Sequence, residues 1–246
     1  MIKIYGKRNE EIHSLSDWLT YSAPAKGDGH LKDLRSAMEL AKCWFRDGVA
    51  KVPDELQSLF EENEVTKDIK ITKAYPEKET RLDNYGKGRN HDLVLIGETG
   101  RERILISVEA KADESYGKLV GDYLKSVSAR SNVPNRIEQL TSSILGTQTS
   151  EHLRYQLLHA IAGTIIEAKE CGATQAIFLV HEFHSVETNS KNVTRNKDDF
   201  IRFLSDLFEQ QIDLQPNELL GPVAVNGGEF VPKGIPLYVG KIVTDL

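Results

Sequence analysis

The stretch from His91 to Lys111, "HDLVLIGETGRERILISVEAK", constrains the fold of this chain more than any other. Two apolar runs flank Thr99-Gly100-Arg101-Glu102, where glycine stands first of the two central residues, as a two-residue type II′ hairpin turn requires. Such a turn fixes the register: Glu98 opposes Arg103, Ile96 opposes Leu105, Val94 opposes Ser107, and Asp92 opposes Glu109. Side chains alternate along a strand, so Ile104, Ile106, Val108 and Ala110 form an apolar face while Glu109 and Lys111 share the other.

Directly opposed like charges destabilise a hairpin unless something compensates. Two acidic groups, an amine one step beyond them and a buried face behind them make a site for a hard divalent cation held by oxygens, with Mg²⁺ or Mn²⁺ the natural occupant.

The rest of the chain sets the frame. Its 246 residues, 39% hydrophobic and 28% charged, suit one domain over 1–246, with a core from about 31 to 185 that a later helix and strands elaborate. A formal charge of −6 argues against a globally basic nucleic-acid binder, so any basic surface has to be local. Cys43 and Cys171 form no CxxC pattern, which supports neither a disulfide framework nor a cysteine zinc site and points to a reducing compartment. The N-terminus has no apolar run of signal-peptide length and no stretch approaches the length of a membrane span, so the expectation is a cytoplasmic protein without a membrane partner.

Periodicity predicts a strand over residues 2–5, a helix over 31–45 and a short helix after Pro53. A strand over 67–75, the hairpin and a helix over 135–145 follow. Ser150 is placed to cap a central helix over 151–170 that ends at Gly172. The strand "AIFLVHEF", a helix over 198–209 and strands near Val223 and over 237–243 complete an α/β fold, a mixed central sheet flanked by helices.

An aspartate on one strand followed, across a hairpin, by Glu-x-Lys on the next, here Asp92 and Glu109-Ala110-Lys111, resembles the PD-(D/E)XK signature of restriction-endonuclease-like nucleases. The likeness covers residues 65–185 and has His91 where that family often carries proline. It implies a restriction-endonuclease-like sheet and a metal-dependent phosphodiester hydrolase. Asp92, Glu109 and the Ala110 carbonyl would hold Mg²⁺ or Mn²⁺, with Lys111 acting on the water or the transition-state charge. Nucleic acid, DNA before RNA, is the implied partner, and a homodimer is compatible with the resemblance. The alternative is a member of the same fold that binds nucleic acid or protein without turnover, which the acidic net charge favours.

Further candidates are weaker. The family usually supplies another acid from an early helix, which points to Glu39 as a fourth metal ligand, against a solvated helix-face glutamate. Glu77, Glu79, Asp113 and Glu114 are further acids near the strands. A glutamine on the helix after the Glu-x-Lys strand approaches the site in related nucleases, which singles out Gln156. The segment "YGKGRNH" puts Lys87 and Arg89 on a glycine loop leading into Asp92, a place for phosphate contacts, although it lacks the P-loop pattern. "HEFH", residues 181–184, falls short of HExxH, and alternation sends His181 to the apolar side with Ile177 and Leu179 as a core histidine.

Overall fold

The computed structural model describes residues 2–23, 32–100, 102–128, 130–146 and 150–246. In chain order the elements are β1 (Lys3–Tyr5), β2 (Glu11–Ile12), α1 (Leu15–Tyr21), α2 (Ser36–Cys43), α3 (Asp54–Glu62), β3 (Lys70–Thr80), β4 (Arg89–Glu98) and β5 (Arg103–Lys111). There follow α4 (Val120–Ser126), α5 (Val133–Leu145), α6 (Tyr155–Glu170), β6 (Gln175–His184), α7 (Ser190–Phe208), β7 (Glu218–Val223) and β8 (Leu237–Asp245). The eight strands among the described residues join one mixed sheet in the order β2-β1-β3-β4-β5-β6-β8-β7. Strands β3, β4 and β5 run antiparallel in sequence, after which α6 crosses over so that β6 lies parallel to β5.

The period-2 pattern of the strands builds two layers. Val94, Leu105, Phe178 and Val180 face α5, α6 and α7, while Leu93, Leu95, Ile104, Ile106 and Val108 face α1, α2 and α3. Helix α6 is the centre of the first layer, with Leu157, Leu158, Ile161 and Ile165 fully buried, and it ends before Gly172, whose φ of 70° closes the helix as expected.

Several element boundaries differ from the sequence reading for local reasons. Helix α2 begins at Ser36 because Leu34 has a φ of 64°, which no right-handed helix accommodates; Leu31, where the helix was expected to start, lies outside the described residues. Helix α6 begins at Tyr155 rather than at residue 151. The Ser150 hydroxyl pairs with that of Thr141 at 3.0 Å instead of capping, and a bridge to Leu119 holds Arg154 extended. Helix α7 starts earlier than expected, at Ser190, because the Asn189 side chain accepts from the backbone N–H groups of Lys191 and Asn192. The short β2, α1 and α4 carry too few periods to show in sequence. No helix among the described residues is long and apolar enough to cross a membrane.

His181 is the core residue that alternation indicates. It is buried, bonds the Thr244 hydroxyl at 2.8 Å and stacks on Phe183 with ring centroids 4.1 Å apart. Burial lowers its pKa from 6.5 to about 3, so its neutral form favours folding above pH 6.5, and that contribution is lost as pH falls toward 3. We expect His181→Gln to make the fall of unfolding free energy on acidification shallower by up to one proton, about 1.4 kcal/mol per pH unit. Denaturant unfolding at successive pH values checks this, and a slope identical to wild type would refute it.

Candidate functional site

The β4–β5 hairpin pairs Glu98 with Arg103, Ile96 with Leu105 and Val94 with Ser107, the register its sequence dictates. The turn itself differs: Gly100 lacks the positive φ of a type II′ turn, and Arg101 lies outside the described residues. The ladder also stops at Leu93–Val108, one pair short of Asp92 and Glu109. There the Asp92 carboxylate accepts from the Ala110 N–H at 2.8 Å. On its other side the β3–β4 ladder passes from Pro76–Leu93 to Lys78–His91, and Glu77, with a φ of 53°, sits opposite Asp92. A non-glycine residue in the left-handed region costs about 1–3 kcal/mol and is held there by its surroundings. Asp92 therefore lies in a local break of the sheet rather than in a regular ladder.

Glu109 is 2% exposed and fully engaged. Its carboxylate accepts from Lys111 Nζ at 2.6 Å, from the Gln156 amide and from the Arg89 guanidinium, which in turn meets Nδ1 of His159 at 2.9 Å. Desolvation opposes ionisation here, but Lys111 and Arg89 outweigh it and draw the Glu109 carboxyl down to about 2. Asp92 has the opposite fate: burial, then repulsion from Glu109, push its carboxyl up to about 7. The Lys111 ammonium rests above the Tyr116 ring, 5.2 Å from its centroid. His159 is held well below the usual imidazole range by burial and by Arg89, so it stays neutral and accepts from the guanidinium.

Asp92, Glu109, Ala110, Lys111 and Gln156 all line one cleft of about 640 Å³. The sequence-derived group thus converges. Other candidates do not join it. Arg89 is not on a loop: it opens β4, 4% exposed, and ties down Glu109, because leaving that carboxylate alone in the interior would cost far more than ordering the arginine. Lys87 is exposed on the preceding loop and does not line the cleft. Glu39 is buried and turned away, accepting from the Leu34 N–H at 2.9 Å and pairing with Lys42 at 2.9 Å. Asp113 pairs with Arg35 at 3.1 Å and Glu79 accepts from the Gly88 N–H at 3.1 Å. Glu77 and Glu114 do line the cleft. Among the described residues no group of three or more His, Cys, Asp or Glu side chains is arranged to hold a metal ion. In "HEFH", Glu182 is buried between Lys241 at 2.8 Å and His184 at 3.1 Å.

Sequence reasoning missed the polar seam behind Glu109. His91 is buried, with Nδ1 2.6 Å from the Ser107 hydroxyl and Nε2 3.2 Å from that of Thr80, which donates to Glu167 at 2.6 Å. The signal was present: Gln156, His159, Gly163 and Glu167 recur at three- and four-residue spacing and mark one non-apolar stripe on α6. Gly163 has a steric role in it. A Cβ there would lie 2.9 Å from the His91 ring and 3.1 Å from Arg89 Cδ.

Alanine would favour the helix by about 1 kcal/mol over glycine, yet overpacking a fixed neighbour costs about 1–3 kcal/mol. The buried, hydrogen-bonded His91 cannot swing aside, so we expect Gly163→Ala to be net destabilising by about 1 kcal/mol, measured by denaturant unfolding. A more stable variant would refute the tight contact.

No curated protein and no solved structure matches the chain. One family model does, that of the Domain of unknown function DUF6946, and since it matches residues 11–246 the chain belongs to that family.

Proposed function

We propose that this chain is a Mg²⁺- or Mn²⁺-dependent phosphodiester hydrolase acting on nucleic acid, a nuclease of the PD-(D/E)XK type. The observation that carries the reading is the convergence of Asp92, Glu109, Lys111 and Gln156 on one cleft, with Asp92 electrostatically frustrated beside Glu109. The order β3–β4–β5, α6, parallel β6 supports it, since it sets the aspartate and the Glu-x-Lys on adjacent central strands. DNA is the first substrate to test, and two free cysteines fit a cytoplasmic setting.

The donor set suits a hard cation: two carboxylates in one cleft, one of them destabilised by the other, with the Ala110 carbonyl as a further oxygen. The cation, when bound, polarises the phosphodiester and lowers the pKa of a water. Asp92 and Glu109 would hold it. Arg89 keeps Glu109 ionised, and Gln156 fixes the orientation of that carboxylate. Lys111, 5% exposed and held between Glu109 and the Tyr116 ring, supplies a positive charge for the developing phosphorane. Glu109's engagement by Arg89, Lys111 and Gln156 also favours a second reading, a binding member of the fold without turnover, because a carboxylate already neutralised has less to offer a metal.

The Asp92 carboxyl, raised to about 7 against 3.8 for the ordinary group, is stable in the fold when protonated. Its destabilising effect therefore grows as pH rises from about 4 to 7 and is constant above. We expect Asp92→Asn to melt higher than wild type at pH 8 without metal, with the difference fading toward pH 4. Mn²⁺ should raise the melting temperature of wild type and not of Asp92→Asn. Equal metal responses would place the cation elsewhere.

Lys111→Ala should keep the Mn²⁺ response while slowing cleavage by two orders of magnitude or more, about 3 kcal/mol of transition-state stabilisation. The assay is cleavage of linear, circular and single-stranded DNA and of RNA with Mg²⁺ or Mn²⁺, beside Asp92→Ala and Glu109→Ala. No metal-dependent cleavage by wild type, or equal cleavage by the variants, hands the site to the binding-module reading.

A further inference from the structure

A second cleft of about 360 Å³ opens beside the first, and the two share Glu77 and Asn90 as a common wall. Its surroundings differ from the acidic first cleft. The β1–β2 connection closes with Gly6 N–H to the Glu10 carbonyl at 2.8 Å and Asn9 N–H to the Gly6 carbonyl at 3.0 Å. That turn holds Lys7 and Arg8 exposed at its tip, with Lys7 3.7 Å from Glu77, and Lys78 stands across from them, 3.5 Å from Glu167. Three basic side chains against the two carboxylates of Glu77 and Glu79 leave this lip locally positive in a chain of net charge −6.

Aromatic rings line both clefts. In the first, Tyr123, Tyr155 and His159 adjoin in turn, with centroids 5.0 Å apart and planes tilted by 58° for the first pair, and 4.8 Å and 67° for the second. In the second, Tyr5 and Tyr75 stack at 5.7 Å with 26° between their planes. Lysines flank both sets: Lys118 Nζ lies 5.9 Å from the Tyr123 ring and Lys78 Nζ 5.9 Å from that of Tyr75.

We infer that the two clefts form one track for a single unpaired nucleic-acid strand, DNA or RNA, with bases on the tyrosine walls and phosphates toward Lys7, Arg8 and Lys78. The inference deepens the nuclease reading by naming its substrate class. Stacking on aromatic side chains requires bases that are not already stacked within a duplex, and it tolerates any base because each has a π face. Basic groups beside such a platform track the backbone of a strand. The carboxylates of the first cleft repel phosphate everywhere except where a cation sits, so the strand presents bases to that wall and phosphates to the second cleft.

The test is fluorescence anisotropy of labelled single-stranded DNA, single-stranded RNA and the matching DNA duplex on the whole chain in EDTA, where binding is read without cleavage. Single strands should bind about tenfold or more tighter than duplex. Arg8→Glu, a change at an exposed turn, should weaken single-strand binding about tenfold and flatten its salt dependence. Tyr123→Ala should weaken it about tenfold as well while Tyr123→Phe, which keeps the ring, stays near wild type. Thermal melts of each variant verify folding. Duplex binding as tight as single strand, or variants that bind like wild type, overturns the track even if metal-dependent cleavage is seen, and the nuclease reading then stands alone. Single-strand binding without any metal-dependent cleavage supports the track and sinks catalysis. Absence of binding to every probe overturns the track.

Discussion

The buried carboxylate of Glu109 is the constraint around which this end of the molecule is arranged. An ion taken out of water costs several kcal/mol unless partners repay it, and removing one partner of such a buried pair costs about 3–5 kcal/mol. Glu109 is repaid from three directions: Arg89 from the start of β4, Lys111 from its own strand and Gln156 from α6. Each partner brings requirements of its own. Arg89 leans on a neutral His159, and the space beside Arg89 and His91 exists because α6 carries glycine at 163. Strand, helix and glycine are thus tied to one negative charge.

Asp92 is the complement of that arrangement. It enters the same cleft accepting from one backbone N–H; Lys111 and Arg89 draw Glu109 down to about 2, whereas burial and then the charge of Glu109 raise Asp92 to about 7. Two carboxylates whose environments drive them apart are a common basis for assigning different roles to like groups. Here Glu109 is neutralised by Arg89 and Lys111, while Asp92 has no ion-pair partner among the described residues. The left-handed backbone of Glu77 beside Asp92 is consistent with a sheet distorted to expose that group rather than to pair it.

The proposed nucleic-acid substrate and the acidic net charge are compatible on geometric grounds. Charge acts over about a Debye length, roughly 8–10 Å at physiological salt, so a basic lip need not make the whole surface basic. Lys7 and Arg8 sit on a turn at the edge of the sheet, and Lys78 reaches the same cleft from β3. Asp92, Glu109 and Glu114 line the neighbouring cleft, while Glu77 borders both and Glu79 lines the basic one.

The central hairpin, its register, the apolar face behind it and the placing of Asp92, Glu109 and Lys111 near one another are legible in the amino-acid order alone. Those follow from side-chain alternation, which is local. The same order also marked Gln156 and the core position of His181. Packing in three dimensions makes Arg89 a buried counter-ion rather than a loop residue, turns Glu39 away from the cleft, and brings His91, His159 and Gly163 together as the seam behind Glu109. It likewise joined the N-terminal turn at Lys7 and Arg8 to a cleft beside Asp92. The physical reason is range: a buried charge chooses its partners from whatever the packed sheet and helices bring within hydrogen-bond distance, and no window of sequence contains them together.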